Sequence, residues 1–394
     1  MPAKPLPHSM SRQPLNHDWI TSYNLLRDCE AQYLADRDKL VPIRLLGHLM
    51  NELRDDSSVD HIHRVVSTAS DLVQLGKFYI KYLITTFRRN KGPTPAPTEH
   101  PSRESFEDLC EDSYHQLLPA QYDHRTAKYY ALERDDYRCS VCGAFDYAST
   151  KEFPKIATLA RQRYSVNKVA AGETNAAHII PEGLSSGLKF VDVTGDAEER
   201  EVARTVLPDG LSEPDKNANP IPLFNPVEFP LDQSQAHQSS SMYSVLRVFG
   251  HPPILDELNG TFIHRLENIL TLCSHEHSLF NSLDIYFEPT DIENEYYLRA
   301  VYEFIRPSKG PGVLVDTVTF AGTDDKPAPS PDYLALHATC CKVAHMLGAA
   351  EYLDEIERDF DEVAVEAHFV SSPAVCDALI RSLEVTVIGQ RVGV

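Results

Sequence analysis

The chain has 394 residues, of which 42% are hydrophobic, 9% aromatic and 24% charged. That composition is globular and long enough for about two to three domains, which excludes a stapled mini-protein, a collagen-like rod and a disordered tail. Its 37 Lys+Arg against 58 Asp+Glu give a net charge of −21, which counts against a nucleic-acid ligand, because phosphate affinity comes mainly from positive charge.

The acidity is not evenly spread. Residues 1–189 carry 24 Lys+Arg and 24 Asp+Glu, whereas residues 190–394 carry 13 and 34. The whole excess lies in the second half, and a neutral half can still present a basic face. The 8 cysteines are few for this length, and the first residues contain no apolar core of signal-peptide length. Together these predict a reducing, intracellular compartment and leave nucleus or cytoplasm open. The most apolar run, near residues 78–87, is broken by Lys81 and ends in Arg88 and Arg89, so no membrane span is expected.

In chain order, residues 18–87 place apolar side chains at helical spacing: Trp19, Tyr23 and Leu26, then Ile43, Leu46, Leu49, Met50 and Leu53, then Val66, Ala69 and Val73. This predicts three packed amphipathic helices in a helical N-terminal region, residues 1–92. The proline-rich segment 93–102 reads as a linker. Residues 103–310 read as an α+β domain, with helix over 104–136, strands over 174–180 and 266–272, a helix directly after the second, and further strands over 284–288 and 296–304. A long irregular insertion occupies about 190–256, rich in Pro, Ser, Asn, Gln and Asp. Residues 311–330 read as a second linker, and 331–394 as an acidic helical C-terminal region.

Three stretches of the central domain belong together. The first carries Cys139 and Cys142 as a CxxC pair before Gly143; the second is Ala177-His178-Ile179-Ile180-Pro181; the third contains Asn268 and, nine residues later, His277. In that order they resemble the HNH endonuclease family, specifically the subgroup with an AHIIP strand that is mostly seen in fungal proteins. The resemblance covers about residues 129–310. It implies a ββα-metal nuclease core, flanked here by helical regions at both ends.

Phosphodiester hydrolysis needs a deprotonated water and a divalent cation to offset the charge that develops in the transition state. An imidazole titrates near neutrality and can take the water's proton. Carried onto this sequence, the resemblance makes His178 the general base, Asn268 the residue that orients it and His277 a ligand of Mg2+ or Mn2+. Asn281, one helical turn after His277 and on the same face, is the second expected ligand. Many members have Asp or His before the base, where Ala177 stands, and Asp or His where Asn281 stands; Glu182 and Asp284 are candidates for a replacement oxygen. Many also pair the first CxxC with a second beginning at the position of Cys273. Position 276 is Glu here, so Cys139, Cys142, Cys273 and His275 form the expected structural Zn2+ set, against the alternative of plain buried thiols.

Two functions fit these residues: a metal-dependent endonuclease acting on DNA, or a weak or inactive HNH-fold module whose acidic half binds a basic protein partner. If DNA is the substrate, Lys128, Arg134, Arg138, Lys168 and Lys189 are the residues expected to meet its phosphates, with strongly salt-dependent binding.

Overall fold

A computed structural model describes residues 4–12, 16–88, 124–181, 257–258, 260–302, 305, 308–310, 313–314 and 317–348. The linker at 93–102, the insertion at 190–256, Glu182, Lys189 and the tail after 348 lie outside the described residues.

Four helices of the N-terminal region start on a short polar side chain that takes up an otherwise unpaired backbone N–H. They are α1 (His17–Gln32) on Asn16, α2 (Arg37–Glu52) on Asp36, α3 (Asp56–Thr68) on Asp55 and α4 (Leu72–Tyr79) on Asp71. The three-helix expectation therefore falls short. Ala69 turns extended after α3, and the Asp71 carboxylate accepts from the Val73 and Gln74 N–H groups to start a new helix. That helix continues through a π-helical turn, Ile80–Ile84, into α5 (Thr85–Arg88).

α2 is buried from Leu40 to Met50. Its Arg44 is neutralised there by Glu30 on α1 at 2.6 Å, and the same carboxylate accepts from the Leu6 N–H. α4 crosses α2 so closely that a Cβ on Gly76 would sit 2.3 Å from the Pro42 carbonyl oxygen, which is why a residue without a side chain stands there.

The central region adds α6 (His124–Arg134), α7 (Tyr147–Glu152) and α8 (Pro154–Asn167), then β1 (Thr174–His178), β2 (Ile269–Cys273) and α9 (Ser274–Asn281). β1 and β2 pair antiparallel, with Thr174 opposite Cys273 and His178 opposite Ile269. A second sheet joins β3 (Ile285–Pro289), β4 (Glu295–Ala300) and, beyond the short pair β5 (Ser308–Gly310) and β6 (Val313–Leu314), β7 (Thr317–Thr319) in the order β3-β4-β7. β7 lies inside the segment expected to be a linker. Val318 and Phe320 are buried, and Phe320 meets Phe287 and Tyr296, so this piece completes the sheet's apolar face.

α10 (Pro331–Met346) packs on β3 and on α2. Its His337 stacks on Phe280 of α9 at 3.7 Å and meets Phe87 of α5 edge-on. One hydrophobic core thus runs from the N-terminal helices to the strands. The architecture is α+β with small antiparallel sheets. Among the described residues no helix is long and apolar enough to cross a membrane.

Two core histidines make the fold sensitive to acid. Burial lowers His61, bonded to the Tyr79 hydroxyl, to about 4, and His337 to about 3. Both folded values lie below the unfolded value near 6.5, so the unfolded chain binds more protons as pH falls. Stability is full above about pH 6.5 and declines below it, by about 2 kcal/mol per histidine at pH 5. Urea unfolding between pH 7 and pH 5 should show this decline, and His61→Gln should make it shallower; an unchanged slope in the variant would assign the sensitivity elsewhere.

Candidate functional site

β2 ends at Cys273 and α9 begins at Ser274 without a loop. His277 therefore sits in the first turn of a helix attached to the strand that pairs with His178. Asn268, fully buried, precedes β2 on a 3-10 turn, Leu266–Asn268. Its side-chain oxygen accepts from the Ile180 N–H at 2.7 Å, while its nitrogen donates to the carbonyls of Ile180 and Ile263, both at 2.9 Å. The Asn268 carbonyl also accepts from the Ile179 N–H. Asn268 thus holds the chain directly after His178 and does not touch the imidazole.

Arg134, at the end of α6, braces the same turn. It is paired with Asp135 and donates to the carbonyls of Leu266 and Ile269. Being buried and fully engaged, it is not a phosphate ligand, contrary to the expectation from sequence. Arg138 is part-exposed beside Asp136, and Lys168 is exposed at the left-handed end of α8.

Four imidazoles gather at the end of β1. His178 Nε2 lies 3.0 Å from His264 Nδ1, and the His124 ring stands 5.7 Å from that of His178 and 6.1 Å from that of His264. His178 is pushed down to about 3, first by burial and then by His264, His124 and His277. His277 is lowered by burial and by His124. Protonating one ring here would place a charge in a dry site beside other rings that compete for it, so His178 is neutral at pH 7. His277 Nε2 and the Asn281 side-chain nitrogen are 3.1 Å apart. His124 and His264 carry no spacing that distinguishes them among the chain's 17 histidines. Asp284 is raised by burial, against which the Arg88 guanidinium acts.

A second cluster lies at the other end of the same sheet. Cys139, Cys142, Cys273 and Glu276 bring their ligand atoms within 4.8 Å of one another and could hold a metal ion. Glu276, not His275, joins the three thiols, which corrects the expected set. Because α9 starts directly after Cys273, the residue three positions on shares its side, whereas the residue two positions on faces elsewhere.

The Cys139–Cys142 turn hangs on β2 through the Ser140 N–H and the Thr271 carbonyl, at 2.8 Å. It closes at Gly143, whose φ of +69° suits glycine. The Cys142 and Cys273 side chains, then their backbone N–H groups, stabilise a thiolate on Cys139 and hold it well below the usual thiol range; in turn Cys142 is raised to about 12. Glu276 is raised by burial, with the Cys139 sulfur adding to it. Sulfurs on one tetrahedral ion at about 2.3 Å stand roughly 3.8 Å apart, close to the 3.4 Å between Cys142 and Cys273.

Truncating Asn268 to alanine should leave three buried backbone groups unpaired and lower stability by roughly 3 kcal/mol, read by urea unfolding. A loss below about 0.5 kcal/mol would show that the loop is held by other contacts. No protein-family model, curated protein or solved structure matches the chain.

Proposed function

We propose that the chain is a divalent-metal-dependent endonuclease of the HNH type that hydrolyses phosphodiester bonds in DNA. The observation that carries this reading is the union, at one end of β1, of a neutral His178, the loop pinned by Asn268, and His277 on the helix that directly follows β2. Two antiparallel strands followed by a helix are what a ββα-metal core requires, and the family motif supplies the same three residues in the same order.

His178 donates its Nε2 proton to His264 Nδ1, which leaves the lone pair on Nδ1 to take a proton from the attacking water. His264 fixes the orientation of the His178 ring through this bond. Asn268 sets the position of His178 through the backbone. Mg2+ or Mn2+ held by His277 and Asn281 would supply Lewis acidity at the phosphate. Asn281 would offer its carbonyl oxygen to the ion and His277 its imidazole nitrogen. The thiol cluster is a structural Zn2+ site: three sulfurs and one carboxylate oxygen form a closed four-ligand set.

One observation favours a second reading, a weak or inactive module that binds a protein partner through its acidic half. The ligands that α9 offers the ion, His277 and Asn281, are both neutral donors, which hold a hard cation less well than carboxylates do.

Purified protein with Mg2+ or Mn2+ should nick plasmid DNA, and His178→Ala should reduce the rate by at least about 100-fold. Equal rates would sink the mechanism; a wild type that neither cleaves nor binds Mn2+ in calorimetry would favour the module. Separately, the purified chain should carry one zinc per molecule by elemental analysis, and Cys142→Ser should release it with a fall in thermal stability. Full zinc retention in that variant would remove Cys142 from the ligand set.

A further inference from the structure

We propose that the cleft between the turn at residues 136–145 and α8 is a binding track for a single-stranded polynucleotide, through which the substrate strand is led toward His178. This rests on the nuclease reading and adds the form of the substrate and the surface that receives it.

The cleft has a volume of about 780 Å³, and its lining includes the rings of Tyr137, Phe145 and Phe153, the cations Lys155 and Arg163, and Arg138, which is paired with Asp136, the acidic residue of the lining. Tyr137 and Phe153 stand 5.4 Å apart at a tilt, and the Arg138 guanidinium lies over Phe145. Flat rings beside cations are what unpaired nucleotides need: bases stack on the rings and phosphates meet the charges. A duplex keeps its base faces inside its own stack and has no use for the rings.

Charge points the same way. Residues 153–172 contain Lys155, Arg161, Arg163 and Lys168 and no acidic residue, in a chain whose net charge is −21. Among the described residues Lys155, Arg161 and Arg163 form no ion pair with Asp or Glu. The Arg163 Nε is sealed from solvent and has no hydrogen-bond acceptor. A buried cationic N–H without an acceptor is costly, so Arg163 carries an unrelieved desolvation penalty at the wall of the cleft. The guanidinium finds room because position 143 is glycine: a Cβ there would sit 2.5 Å from Arg163 Nη2.

α8 also leaves Leu159, Tyr164 and Val166 exposed, at 41%, 53% and 78%. A helix that shows water both its cations and its large apolar side chains differs from an ordinary solvated face. The cleft is also tied to the candidate site. Gly172 bonds to Phe145 and Tyr147, two residues before β1, and β1 runs its five residues, about 13 Å, to His178.

The test is fluorescence anisotropy of the full chain, its zinc retained and no Mg2+ or Mn2+ added, with a labelled oligothymidylate of about 20 nucleotides and a duplex of equal length. Leaving out Mg2+ and Mn2+ separates binding from cleavage: the nuclease reading can fail while the strand still binds, and the track can fail while cleavage survives. The expected result is a single strand bound at least about tenfold tighter than the duplex. Lys155→Glu combined with Arg163→Gln should lose at least about tenfold in affinity and show a shallower dependence on salt.

Lys155→Glu alone, at an exposed position, should show part of the loss with unchanged thermal unfolding, which keeps the test readable if the double variant folds poorly. Affinity equal to wild type in both variants, tighter binding of the duplex, no binding by the wild type, or equal competition by polyglutamate would each overturn the proposal.

Discussion

A carboxamide sealed from water must find partners for its N–H groups and its oxygen, or lose the free energy of its desolvation. Asn268 finds them on Ile180 and Ile263, and by doing so joins two segments 88 residues apart in sequence. His178 immediately precedes one of these segments, His264 belongs to the other, and β2 leaves from Asn268 itself. The positions of His178, His264 and His277 follow from that one buried amide, while His124 comes in on α6. Arg134 reinforces it from the outside by holding the carbonyls of Leu266 and Ile269.

The sheet that carries the imidazoles at one end carries sulfurs at the other, and the two ends handle charge in opposite ways. Around His178 the neighbours are rings that resist protonation, so burial keeps the site neutral. Around Cys139 they are S–H and N–H donors, so burial is outweighed and a thiolate persists. α9 connects the two, with Glu276 turned to the sulfurs and His277, the next residue, turned to the imidazoles. One short helix therefore belongs to both chemistries.

Much of this was legible because local pattern and local structure agree. The strands expected over 174–180 and 266–272 form at Thr174–His178 and Ile269–Cys273, the second after a 3-10 turn, and the helix follows directly after it. The errors share a cause, which is information held outside the local pattern. Glu276 replaced His275 because the helix begins one residue after Cys273, a matter of phase and not of composition. β7 hides in a stretch with linker-like residues because three residues suffice when their partner strand is already in place. His264 and His124 reach His178 only through tertiary packing, and Arg134 looks like a phosphate ligand until its carbonyl partners are seen. The acidity first weighed against nucleic acid proves to be an average: α8 and its flanks, residues 153–172, have no acidic residue at all.

The order of events during folding is implied by the same joint. Helices α1 to α4 meet one another over short separations, so they can assemble early at little cost in chain entropy. The pairing of β1 with β2 must wait until a long stretch of chain has been drawn together, and the contacts of Asn268 form only with it. The imidazole group is therefore assembled late, and a chain that has gained its helices but not this closure lacks the grouped imidazoles.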